Sequence, residues 1–209
     1  MAENQNEFIP TRKSLLVRVK NLDDQESWND FFNTYWKLIF SVAAKAGLRE
    51  QEAQDVVQET LLAVTKAIQD YRYEPERCSF KSWLRLLIRR RIADHFRKRS
   101  RNVATSESNS EPGASTQEVE RIADPAGPEQ DALWEDEWQK HLVEVALEKF
   151  KRQTSAEQYQ AFYLHVIKGL SPREVAKVLD ISTGQVYLIK HRLAKPFRKT
   201  VEELKSKLI

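Results

Sequence analysis

The chain has 209 residues and a nearly balanced charge, 34 Lys or Arg against 31 Asp or Glu, for a formal +3. No apolar run approaches the roughly 18 residues a membrane helix needs, and Met1-Ala2-Glu3-Asn4-Gln5-Asn6 lacks the basic-then-apolar start of a secretory signal, so no membrane insertion is expected. One cysteine, Cys78, excludes an internal disulfide framework and suits a reducing cytoplasm; with four scattered histidines it offers no zinc-ligand spacing, and neither a metal, a cofactor nor a catalytic group is expected.

Five glycines and scarcely any alternating β-branched run predict an all-α protein. Thr11 to Val19 reads as a short first helix that packs through Leu15 and Leu16. Trp28, Phe31, Phe32, Tyr35, Leu38, Ile39 and Val42 recur at steps of three and four, one face of a second helix. A third starts near Arg49 and carries Val56, Val57, Leu61, Leu62, Val64 and Ile68. A fourth runs from Phe80 through Trp83, Leu84, Leu87, Ile88 and Ile92 to Phe96. Residues 102–132 collect Ser, Glu, Pro, Gly and Ala, too little apolar surface to offset ordering entropy, so they are expected to be a flexible linker. Domains are therefore expected over 1–101 and 133–209. In the second, Leu133, Trp134, Trp138, Leu142, Val145 and Phe150 define one helix. Tyr159, Phe162, Tyr163, Val166 and Ile167 define the next, closed by Gly169.

Two helix starts then come back to back. Ser171-Pro172-Arg173-Glu174 is a capping box with proline at the first helical position, and Ser182-Thr183-Gly184-Gln185 repeats the box with glutamine. The helix from Pro172 to Leu179 is about two turns long, and Asp180 takes the turn position where glycine is commonest, aspartate tolerating left-handed geometry better than most residues. Val175, Ala176, Leu179, Ile181, Val186, Ile189 and Leu193 are placed where two crossing helices meet. A short helix, a tight turn and a longer basic helix spell helix-turn-helix, which offers its second helix to a DNA major groove. Gly184 would let that helix end approach a phosphate, and Pro196 is expected to kink or end the helix.

Charge is segregated along the chain. Residues 72–101 hold eleven Lys or Arg against three acids, residues 102–132 one Arg against seven acids, and residues 183–209 seven basic residues against two. Two basic blocks flanking an acidic one suggest two nucleic-acid contacts on a tether that avoids duplex. In the first block Tyr71, Tyr73, Phe80 and Trp83 suit stacking on unpaired bases. Phe80 and Trp83 would equally serve a core, which is the preferred place for Trp83.

Three local patterns carry a family resemblance. Glu52-Ala53-Gln54-Asp55-Val56-Val57-Gln58-Glu59-Thr60-Leu61 is similar to sigma region 2.2. Phe80-Lys81-Ser82-Trp83-Leu84, continuing through Ile88, Asp94 and Arg97-Lys98, is similar to regions 2.3 and 2.4. Leu170 to Leu193 is similar to region 4.2. In this order and at these separations they resemble a bacterial RNA polymerase sigma factor of the sigma-70 family, extracytoplasmic-function group. The resemblance implies two helical domains, a region 2 bundle and a region 4 helix-turn-helix. Its job would be to bind core RNA polymerase and direct promoter-specific initiation, without catalysis of its own.

On this resemblance Asp55, Gln58 and Glu59 would dock on the polymerase clamp helices, and region 4 on the flap. Lys81, Arg85, Arg89, Arg90, Arg97 and Lys98 would contact and melt the minus-ten element. Ser182, Thr183, Gln185, Tyr187, Leu188, Lys190, His191 and Arg192 would form the surface that reads the minus-thirty-five element. Asp94 is expected to pair with a neighbouring arginine. Many relatives carry asparagine where this chain has Arg90, and Ser and Arg where it has Leu188 and Ile189, so their promoter preferences do not transfer. Regulation in this family is frequently by an anti-sigma partner, whose binding surface no residue here marks. Two rivals remain: a helix-turn-helix repressor or activator that binds duplex without polymerase, and a metal-dependent nucleic-acid enzyme built on Asp55 and Glu59.

Overall fold

A computed structural model describes residues 13–71, 79–107 and 128–208, and among these every regular element is helical. The helices are α1 (Lys13–Arg18), α2 (Gln25–Lys45), α3 (Glu50–Ala67), α4 (Phe80–Glu107), α5 (Pro128–Gln153), α6 (Ala156–Phe162), α7 (Pro172–Leu179) and α8 (Thr183–Leu208), with a π-helical turn at Tyr163–Ile167 after α6. The all-α class expected from the sequence is the class observed. Contacts divide the chain into two units, one reaching to Gln139 and the other from Lys140 to Lys207.

In the first unit, α2 packs on α1, α3 and α4, and α3 packs on α4. Leu15, Leu16 and Val19 are buried as the first-helix pattern requires. Asp24 caps α2 by accepting from the Ser27 N–H at 3.0 Å and from its hydroxyl at 2.7 Å. The core is aromatic at one end. Phe80 stands 5.3 Å from Tyr35, 6.1 Å from Phe31, 6.3 Å from Tyr71 and 5.7 Å from Trp83, centroid to centroid. Tyr71 and Phe80 are thus core residues rather than the strand-stacking surface offered as one reading of the sequence, and Trp83 is half-buried with its ring against both. Tyr73 lies outside the described residues.

The boundaries differ from those expected. α4 continues to Glu107 and α5 begins at Pro128, so both ends of the 102–132 stretch are helical, and residues 108–127 lie outside the described set. The opening turns of α5 also belong with the first unit rather than the second. Trp134 and Trp138 are buried, and the buried Glu137 carboxylate accepts from the Ser41 hydroxyl and pairs with Lys45, both on α2. Asp131, inside the stretch that reads as solvated tether, is drawn into the fold by its pairing with Arg85 of α4.

In the second unit Phe150, Phe162 and Phe197 form a triangle of rings with centroids 5.3 to 5.7 Å apart. Around Ala161, Phe162, Val175, Val186 and Ile189 gather Leu170, Ala176, Leu179, Ile181 and Leu193, the crossing-helix set expected from the sequence. The π turn is where periodicity misleads. The Lys168 N–H donates to the Tyr163 carbonyl, five residues back, and this wider ring shifts the helical register, so Val166 faces out rather than in. Pro196 neither ends nor interrupts α8. Its missing N–H forfeits one backbone bond, while burial of Thr200 and Leu204 and the packing of the half-buried Phe197 anchor the helix beyond it.

Candidate nucleic-acid and protein interfaces

Two surfaces carry the residues singled out from the sequence, one in each unit. On the first, Asp55 and Gln58 project from α3 exposed, and Glu59 beside them is half-buried. Glu59 reaches across to α4, where its carboxylate lies 3.4 Å from Lys98 Nζ and 3.6 Å from His95 Nε2. One expected polymerase contact and one expected DNA contact are thus partners of each other. Among the described residues no three His, Cys, Asp or Glu side chains converge in a way that could hold a metal ion.

α4 is a basic helix whose cations divide into two sets. Lys81 Nζ donates to Glu135 at 2.6 Å, and Arg85 pairs with Asp131, so both are engaged by the opening turns of α5. Lys81, and after it Gln139, hold the Glu135 carboxyl below the usual carboxylate range. Asp94 pairs with Arg91 at 3.5 Å and with Arg97 at 3.2 Å, which places that acid among arginines as expected. Arg89 and Arg90 make no ion pair within the described residues, and Arg90 is exposed. In the sequence neither α5 acid stands out as a partner, since Asp131 belongs to a block of opposite charge and Glu135 to the polar face of an amphipathic helix.

The second surface is the α7–turn–α8 unit. Ser171 Oγ accepts from the Glu174 N–H at 3.3 Å, while Glu174 accepts from the Ser171 N–H at 2.7 Å. Ser182 Oγ accepts from the Gln185 N–H at 3.1 Å, and Gln185 Oε1 accepts from the Ser182 N–H at 2.7 Å. Both capping boxes are therefore closed, each satisfying two donors that a helix start leaves orphaned. Asp180 ends α7 in the left-handed region at φ 52°, ψ 46°. Burial of Val186 and Ile189 fixes the rotation of α8. Ser182, Thr183, Gly184, Gln185, Tyr187, Leu188, Lys190, His191 and Arg192 all lie exposed.

His165 escaped notice in the sequence. It sits in the π turn, shares a 2.8 Å hydrogen bond between Nδ1 and the Leu170 carbonyl, and meets the Tyr187 ring edge-on at 6.4 Å. Nothing in a 3.6-residue periodicity marks such a turn.

The α2-to-α4 bundle, with its acidic α3 face and basic α4, coincides with a recognised module: residues 31–102 match sigma-70 region 2. The ECF RNA polymerase sigma factor BldN of Streptomyces coelicolor is 28% identical to this chain over 169 residues, which cover 79% of this chain and 55% of that protein. The chain thus spans about half the length of the curated relative it matches. A solved structure described as CnrH in complex with the cytosolic domain of CnrY is 19% identical, covers 93% of this chain and 97% of its own, and superposes with a TM-score of 0.35. Residues 31–102 thus carry a sigma-70 region 2 module. Over most of its length the chain is similar to a sigma factor of the extracytoplasmic-function group.

Proposed function

We propose that this chain is a sigma factor that binds core RNA polymerase and directs initiation at promoters whose two elements are read by its two units. The observation that carries this is the coincidence of the region 2 match over 31–102 with a helix pair that is acidic and exposed on α3 and cationic on α4. Asp55 and Gln58 dock on polymerase, with Glu59 at the edge of the same face. Of the α4 cations, Arg89 and Arg90 contact the minus-ten strand first, joined by the exposed Arg97 and Lys98. Lys81 and Arg85 reach DNA only once Glu135 and Asp131 let go of them.

The α7–α8 unit supplies the second contact. Its exposed Thr183, Gln185, Tyr187, Leu188 and His191 face the minus-thirty-five groove, while Lys190 and Arg192 hold phosphates, which position without specifying sequence. Run-off transcription with purified core polymerase tests the reading. The chain should convert core into an enzyme that initiates at discrete sites. A repressor or activator would instead bind duplex unaided and yield no transcript with core alone.

A further inference from the structure

Opposite the buried Val186 and Ile189 and the half-buried Leu193, α8 turns outward a stripe of Gly184, Leu188, His191 and Lys195, spaced by four, three and four residues. All four are exposed. In the first two turns, the part of a recognition helix that enters the groove, Gly184 brings no side chain and Leu188 brings an apolar one. Leu188 is 57% exposed, and Tyr187 beside it 59%. These are large apolar side chains in the last place a folding chain needs them.

The polar alternatives on the same turns are depleted. Gln185 has one lone pair of its Oε1 engaged by the Ser182 N–H at 2.7 Å, which ties its amide to the helix start. The two-pronged glutamine grip on adenine, which needs a donor and an acceptor together, must therefore compete with the cap. No arginine stands in these turns, and Lys190, the one cation there that could take guanine O6 and N7, lies off the stripe towards the phosphates. Tyr187 is held to one side, its ring against His165. Only thymine presents an apolar group in the major groove, its C5-methyl. A leucine set on that methyl removes both from water, whereas set on a cytosine amino group it leaves a donor unpaired.

We infer that α8 reads its duplex through thymine methyl groups, with Leu188 the specificity-determining residue. The inference rests on the proposed function of the α7–α8 unit and names what that unit recognises.

The test uses holoenzyme assembled from the full chain and bacterial core polymerase. Duplexes are enriched from a randomised library, and the enriched upstream element is resynthesised with each thymidine in turn replaced by deoxyuridine, which deletes the methyl alone. At one or two neighbouring positions binding should fall about threefold to fivefold, the worth of one buried methyl. The same replacements should be silent with Leu188→Ala, whose exposed position leaves helix content by circular dichroism unchanged. An enriched element indifferent to deoxyuridine throughout, or a loss that persists in Leu188→Ala, would overturn the inference and leave duplex reading by α8 standing. Failure to enrich any duplex would overturn the proposed function and the inference with it.

Discussion

Gly184 and His141 show how single residues reveal constraints that packing alone does not explain. A Cβ at Gly184 would meet only Ser182 Oγ, at 3.8 Å, so nothing within the protein requires glycine there. Gly184→Ala should therefore raise stability by up to about 1 kcal/mol. If the missing side chain serves a phosphate, the same change should weaken promoter binding. A melting curve and a binding isotherm on one preparation check both signs, and improved stability with unchanged binding would remove the phosphate role. His141 is buried, and burial pushes its imidazole from the ordinary 6.5 down to about 4. Between those values the unfolded chain binds a proton that the folded one refuses, so stability falls as pH drops from 6.5 towards 4 and the loss saturates below. The full effect is about 3 kcal/mol. Urea melts across that window should show it, and His141→Gln should flatten the slope.

At the scale of elements, what could be read in advance depended on how local its cause is. The two capping boxes, the left-handed Asp180 and the inward set on α7 and α8 are spacings within a few residues, and each appears as expected. The π turn and the continuation of α8 through Pro196 are also local, yet they run against ordinary periodicity and propensity, and tertiary packing decides them. The placement of the opening turns of α5 depends on Lys81, Arg85, Ser41 and Lys45, between 46 and 96 positions away, where no spacing rule reaches. That contact changes the expected behaviour of α4, since Lys81 and Arg85 are held by acids. Asp131→Asn with Glu135→Gln should tighten binding of a labelled single-stranded oligonucleotide by about twofold to fivefold, the range for part-exposed ion pairs. Fluorescence anisotropy at low salt reads this directly, and unchanged affinity would mean that the acids do not compete with nucleic acid.

For the whole molecule, the division of labour between the α3 and α4 faces can be probed one surface at a time. Glu59 is unsuited to that purpose, because replacing it also releases Lys98 and His95. Asp55, exposed and clear of that network, is the better probe of docking. Asp55→Arg should reduce affinity for core polymerase about tenfold or more, since it sets like charges against each other across an interface, with helix content unchanged. Arg90→Ala should impair promoter opening, followed by permanganate reactivity of unpaired thymines, more than it impairs closed-complex formation. Equal losses in the two steps would contradict a melting role for α4.

The most direct measurement is reconstituted transcription on a promoter library with purified core polymerase and the full chain. Transcripts that begin at discrete positions, share two upstream elements and vanish when the chain is omitted are the predicted result. Duplex binding by the chain alone, with no start-site selection by the polymerase it is mixed with, would contradict the account.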